Sequence, residues 1–281
     1  MNGLAVLEAT LYCRRDMEGV ELHHFDGGLV AVFTTRCPGK QTPNEDSAGI
    51  ITIDDRSGVF IVADGLGGAR SEELASGTVV EALRASIEQS TRDNGMLRTE
   101  ILDGIETGNR LICETGIGAA TILAVVEVHG RTVRPFHVGD SMILVVGQRG
   151  KIKLQTVSHS PVGFAVEAGM LDENDALHHQ DRHLFSNVVG IQEIRIEIGS
   201  VLNLAPRDTL LLASDGLLDN LHLEEIVDRI RIGPLDQALG RLVKDSLQRM
   251  IHSAGGQPSK PDDLTVIAFR PAISRANSSR L

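Results

Sequence analysis

The chain has no tryptophan, one tyrosine and an aromatic content of 3% over 281 residues. Its core must therefore be built from Val, Ile, Leu and Ala, and the β-branched members of that set favour strands. Cysteine is equally scarce: Cys13, Cys37 and Cys113 are an odd number at wide spacing, with no CxxC. That spacing argues against a disulfide framework or a thiolate zinc site and makes a reducing compartment, the cytoplasm, the expected location. No apolar run approaches the roughly 18 residues of a membrane span, and the N-terminus lacks the basic-then-apolar order of a signal peptide. Basic residues are in deficit, 27 Lys and Arg against 38 Asp and Glu, for a net charge of −11. Neither a nucleic acid, which calls for a basic stripe, nor a membrane is an expected partner. A hydrophobic share of 42% and a charged share of 23% are those of an ordinary globular protein. With no internal repeat and no linker, residues 1–281 read as one domain, with a core over about 29–270 and a polar tail over 271–281.

What is present is organised around Val59-Phe60-Ile61-Val62-Ala63-Asp64-Gly65-Leu66-Gly67-Gly68. A buried-strand composition gives way to a carboxylate and a glycine-rich turn. The same design recurs at Asp208-Thr209-Leu210-Leu211-Leu212-Ala213-Ser214-Asp215-Gly216. Strands are expected at Leu4–Tyr12, Leu29–Phe33, Gly49–Asp54, Thr121–Val128, Thr132–Val138, Met142–Val146, Lys151–Thr156, Ile194–Ile198, Thr209–Ala213 and Leu264–Phe269. Helical spacing marks one helix from an N-cap at Ser71 to about Ser90, and others at Leu97–Thr115, Leu223–Ile232 and Pro234–Ile251. Residues 158–190 are polar, His-rich and irregular apart from a short helical piece near Glu173–His178, the character of a functional flap. Most strand connections are too short for parallel crossovers, and near-continuous apolar strands need cover on both faces. The fold class is α+β: two mostly antiparallel sheets packed together, with helix pairs outside.

Five carboxylates stand at strand ends or adjoining turns: Asp46, Asp64, Asp140, Asp215 and Asp262. Any one of them could be ordinary turn chemistry. Five such junctions suggest strand ends converging on a cationic centre, since like charges at close range raise one another's pKa. Without His or Cys at matching spacing, oxygen-only ligation points to Mg²⁺ or Mn²⁺ rather than zinc, and a pair of such ions activates water for attack on a phosphoryl group. Adjacent His23 and His24 point to opposite faces of a strand, and His178, His179 and His183 read as solvated. Neither a dinucleotide-type glycine fingerprint nor a Gly-x-Ser-x-Gly elbow is found.

Asn44-Glu45-Asp46, Val62-Ala63-Asp64-Gly65-Leu66-Gly67-Gly68, His137-Val138-Gly139-Asp140-Ser141, Leu212-Ala213-Ser214-Asp215-Gly216-Leu217 and Asp262-Asp263-Leu264-Thr265-Val266 together resemble the ordered motifs of the metal-dependent serine/threonine protein phosphatases, type 2C, bacterial branch. The resemblance covers roughly residues 30–270. It implies a four-layer α-β-β-α sandwich with two Mn²⁺ or Mg²⁺ ions in the cleft between the sheets and a possible third ion. It also implies hydrolysis of phosphoserine and phosphothreonine in proteins, opposing a kinase, by a water bridging the two ions. Asp64 and the Gly65 carbonyl would bridge and complete the pair, Asp215 and Asp262 would hold the first ion, and Asp140 and Asp219 fall at the third. Glu45 and Asp46 would act largely through metal-bound water, making Glu45, Asp46 and Asp64 the catalytic set.

The chain departs from the pattern in its substrate-handling positions. Gln41 stands where the family usually has an Arg that grips phosphate, and Lys40, which lacks the bidentate fork of a guanidinium, or Arg36 from a different position would have to substitute. Ser158-His159-Ser160 replaces Asp-His-Ser, Met142 replaces an Arg, and Ala119-Ala120-Thr121 stands where paired threonines are common. These departures keep open a catalytically weakened member that binds phosphoproteins as a regulatory module.

Overall fold

The computed structural model describes the chain except residues 1–7, 26–27, 67–71, 94–95, 173–174, 176–178, 180–185, 254 and 273–281. One sheet contains β1 (Glu8–Cys13), β4 (Ser47–Thr52), β5 (Ser57–Leu66), β6 (Ala120–His129), β7 (Thr132–Val138) and β10 (Glu197–Ile198), in that order, with β11 (Leu202–Asn203) also on β7. The other runs β2 (Glu21–Phe25), β3 (Gly28–Thr35), β13 (Leu264–Pro271), β12 (Thr209–Ala213), β8 (Met142–Val146) and β9 (Ile152–Gln155). Every described pairing between these strands is antiparallel. Helices α1 (Glu72–Asp93) and α2 (Leu97–Glu114) cover the first sheet, while α5 (Leu223–Ile230) and α6 (Leu235–Ile251) cover the second. Two short helices, α3 (Pro161–Glu167) and α4 (Asp215–Leu218), lie between strands in sequence.

Strand alternation assigns each face. In β5, Phe60 and Val62 join the core between the sheets, with Val32, Leu212 and Val266, whereas Ile61 and Ala63 pack beneath Val79, Leu83, Ile101 and Ile105 of α1 and α2. Asp64 has the parity of Phe60 and Val62, so it faces the inter-sheet cleft. Asp46 likewise shares the parity of Ala48 and Ile50, which also face inward.

The strand-and-sandwich expectation holds, with local corrections. Asp64 does not end its strand: the ladder with β6 continues through Asp64↔Ile122, Gly65↔Thr121 and Leu66↔Ala120. Ladder pairing overrides the turn signal of the glycines, and the Gly67–Gly68 turn and the Ser71 cap lie outside the described residues. The irregular stretch contains α3, started by Ser160, whose hydroxyl accepts from the Gly163 N–H at 2.9 Å, with Pro161 following the cap. The helical piece expected near Glu173–His178 lies largely outside the described residues. Of Ile194–Ile198, only Glu197 and Ile198 form ladder pairs.

Candidate active site

Two glycines let the carboxylate-bearing loops approach the sheets. Gly139 has φ +100°, and a Cβ there would lie 2.7 Å from Ile122. At Gly216 a Cβ would meet the Asp263 carbonyl oxygen at 2.0 Å, so only glycine lets the start of α4 pass the loop before β13. Asp140 and Asp215 are each adjacent to one of these positions.

Asp46 is 2% exposed and is held by a hydrogen-bond chain that crosses between strands. Ser214 Oγ donates to Asp46 Oδ2 at 2.8 Å and accepts from the Thr265 N–H at 3.0 Å. Thr265 and Thr34 hydroxyls meet at 2.7 Å, and Asn44 Nδ2 donates to Thr34 Oγ1 at 2.8 Å. Asn44 Oδ1 returns to the Asp46 N–H at 3.0 Å. A satisfied buried network of this kind fixes one geometry.

Around Asp46 the structure brings together Asp64, Asp140, Asp215, Asp219 and Asp262. Burial, then the charges of Asp215, Asp46, Asp262 and Asp140, hold the Asp64 carboxyl well above the usual carboxylate range. Asp140 is raised by burial and by Asp215 and Asp219. Asp46 is raised by burial and by Asp263, although hydrogen bonds from Ser214 and Thr265 oppose this. Asp215 is pushed up to about 7 by burial and by Asp262 and Asp219. Asp140 Oδ1 and the adjacent Ser141 Oγ are buried with no hydrogen-bond partner among the described residues. Oxygens of Asp215, Asp219 and Asp262 lie within 4.8 Å of one another. An all-oxygen donor set, mutually repelling and with an orphaned carboxylate oxygen, fits a hard divalent cation.

Sequence reasoning missed Lys260. Its ammonium contacts Asp262 Oδ2 at 2.7 Å, Asp219 Oδ2 at 2.8 Å and Asp215 Oδ2 at 3.1 Å. Burial alone would lower its pKa, but the three carboxylates outweigh that and raise it. Asp263 was also missed. It is 3% exposed and accepts from the Cys37 and Glu45 N–H groups, both at 2.7 Å, and from Lys40 Nζ at 2.7 Å.

The loop expected to meet substrate is internally engaged. Lys40 also pairs with Glu45, Arg36 Nε pairs with Asp16 at 2.9 Å, and exposed Gln41 donates to the Gly39 carbonyl at 3.2 Å. Glu45 is tied further through its carbonyl, which accepts from Ser76 Oγ at 2.5 Å. The Thr121 hydroxyl donates to the Asp64 carbonyl at 2.6 Å beside Gly65.

A second cluster with metal-ligand geometry, His137, His159 and Glu197, was also not anticipated. His23 is half-buried against the Tyr12 hydroxyl at 2.6 Å, and His24 is exposed on the same strand. His179 is exposed, while His178 and His183 lie outside the described residues. Among the described residues no helix is long and apolar enough to cross a membrane.

The chain is similar to known proteins. A family model described as Protein phosphatase 2C matches residues 35–252. The protein phosphatase PhpP of Streptococcus pneumoniae is 30% identical over 236 residues, covering 81% of this chain and 91% of PhpP. The crystal structure of the Mycobacterium tuberculosis serine/threonine phosphatase PstP superposes with a TM-score of 0.70 at 25% identity, over 87% of this chain and 98% of that one. A catalytic domain of PstP in complex with two manganese ions superposes with a TM-score of 0.69 at 24% identity, over 94% and 100% of the two chains. With its motifs in order on two stacked antiparallel sheets, this chain belongs to the protein phosphatase 2C family of protein phosphatases.

Proposed function

We propose that the chain hydrolyses phosphoserine and phosphothreonine in proteins phosphorylated by a serine/threonine kinase, in the cytoplasm, at the basin of Asp46, Asp64, Asp140, Asp215, Asp219 and Asp262. The carrying observation is the convergence of these six carboxylates, with Asp46, Asp64, Asp140 and Asp215 at raised pKa, beside a buried Asp140 oxygen that has no hydrogen-bond partner among the described residues. Asp64, the Gly65 carbonyl, Asp215 and Asp262 would hold two Mn²⁺ or Mg²⁺ ions, and Asp140 and Asp219 a third. Bound there, such ions supply Lewis acidity toward phosphoryl oxygens and acidify water. Asp46, held by Ser214, would orient the attacking water, and Glu45 would act beside it. The single domain would place residues 158–190 as the flap that shapes access to this cleft.

The test is phosphate release from a phosphothreonine peptide after metal stripping and readdition of Mn²⁺ or Mg²⁺, for wild type and Asp215→Ala. Metal-dependent release that disappears in the variant is expected. Folded wild type that releases no phosphate at any metal concentration would refute the reading.

A second reading, a weakened member that binds phosphoproteins, is favoured by one specific observation. Arg36, Lys40 and Gln41 all have internal partners, so phosphate would have to displace those contacts. Under that reading, phosphoprotein binding survives Asp64→Ala.

A further inference from the structure

Lys260 lies two residues before Asp262, and its ammonium sits among three of the carboxylates assigned above to divalent ions. A divalent ion takes its oxygen ligands at roughly 2.0–2.6 Å. An ion bound to those oxygens of Asp215, Asp219 and Asp262 would occupy the space that the ammonium occupies now. The Lys260 backbone cannot retreat to make room. Asn220, fully buried, accepts the Lys260 N–H on Oδ1 at 3.0 Å and donates from Nδ2 to the Lys260 carbonyl at 2.8 Å. The same Nδ2 donates to the Gly216 carbonyl at 2.9 Å, locking the Lys260 loop to α4. What can move is the side chain, which is 29% exposed and so has a way out to solvent.

We propose that Lys260 is an internal counter-cation that competes with a divalent ion for the Asp215–Asp219–Asp262 pocket. The proposal rests on the reading that these carboxylates hold ions. The ammonium offsets the repulsion among the carboxylates in the metal-free protein. By linkage, that stabilisation of the metal-free state lowers the apparent affinity for the ion that must displace it. Ion entry then requires the Lys260 side chain to swing outward.

The test is calorimetric titration of the metal-stripped protein with Mn²⁺, comparing wild type, Lys260→Gln and Lys260→Arg. Loss of the charge in Lys260→Gln is expected to tighten at least one ion by about ten-fold or more, because the competing charge lies at contact distance. The same variant should melt at a lower temperature without metal, and Lys260→Arg should stay near wild type. Equal affinities in wild type and Lys260→Gln, with both binding, would overturn the role of Lys260 and leave the ion site standing. No uptake by either would overturn both, and Lys260→Arg behaving like Lys260→Gln would rule out competition by charge.

Should Lys260→Gln fail to fold without metal, the wild type alone decides. Amine acetylation read by mass spectrometry, with exposed Lys244 as reference, should find Lys260 protected without Mn²⁺ and labelled several-fold more with saturating Mn²⁺. Unchanged labelling would overturn the proposal.

Discussion

Two polar clusters flank Gly139, and each contains side chains with the geometry to hold a metal. On one side are His137, His159 and Glu197; on the other is the basin around Asp140. They differ in how well they are satisfied. His159 Nδ1 faces two donors, the Gly139 N–H at 3.1 Å and Asn187 Nδ2 at 2.8 Å, so it is the acceptor and the ring proton sits on Nε2. That proton meets Glu197 Oε2 at 3.1 Å, and the His159 ring stacks on His137 at 4.5 Å between centroids. His137 Nε2 meets the Val157 carbonyl at 3.0 Å. These contacts are complete without an ion. In the basin, burial and then neighbouring carboxylates hold Asp64 and Asp140 at raised pKa, and Asp140 Oδ1 has no hydrogen-bond partner among the described residues. Proximity of ligand atoms nominates both clusters, whereas unmet charge and hydrogen-bonding capacity single out the basin. The histidine cluster is scaffold: it ties the Asp140 turn to the segment around Ser186, whose Oγ donates to the His159 carbonyl at 2.6 Å.

The largest effects should separate the two clusters in opposite directions. Asp64→Asn is expected to lower phosphatase activity by about 10²–10³-fold or more, the scale seen when electrostatic stabilisation of a transition state is removed. The same substitution should raise the melting temperature of the metal-free protein, because it deletes a carboxylate that its neighbours oppose. His159→Ala should do the reverse. Leaving the Gly139 N–H, Asn187 and Glu197 short of a partner is expected to destabilise the protein by about 2–3 kcal/mol, with or without Mn²⁺. Its activity loss should stay within about 10–100-fold, the range for residues acting through a ligand's neighbours. Thermal melts and peptide turnover on both variants test this, and matching profiles would erase the distinction.

Protonation offers an intermediate test. Asp215 lies at about 7 against an ordinary value of 3.8. An acid raised on folding contributes stability while it is protonated, and that contribution is lost as pH rises through its folded pKa. In metal-free protein, the stability of wild type relative to Asp215→Asn should therefore fall between about pH 4 and 7. Saturating Mn²⁺ should reverse that slope, because metal binding requires deprotonated ligands. A pH-independent difference between the two proteins in chelator would refute the assignment.

Legibility in the sequence followed the physics of each signal. β8 and β12 were readable to the residue because β-branched and leucine-rich runs buried on both faces leave one interpretation, whereas β7, with Thr132 and Arg134 only half-buried, was delimited by the His129-Gly130-Arg131 turn before it. The short helix α3 was not, since Val162 is its one buried residue and supplies no periodicity. The basin was anticipated because Asp at a strand junction is a pattern. Lys260 was invisible because no local rule places an ammonium among carboxylates brought from α4 and the loop before β13. Asp263 hid beside Asp262: the contacts that make it an anchor for the loop holding Lys40 and Glu45 come from far along the chain. His137 and His159 belong to separate segments and meet only after folding.

The smallest expected effect is the sharpest check on the scaffold reading. Glu197→Gln keeps an oxygen to accept the His159 Nε2 proton and removes only the charge. The other ionic partner of Glu197 is Arg195, at 3.5 Å and 73% exposed, a pairing that solvent screens. Glu197→Gln should therefore destabilise by no more than about 1 kcal/mol, well below His159→Ala. Denaturant titration of the two variants side by side measures this. A loss as large as that of His159→Ala would mean that the Glu197 charge, and not only its accepting oxygen, holds His159. The cluster would then be electrostatically poised like the basin it adjoins, and the contrast between a satisfied scaffold and an unsatisfied site would fail at its base.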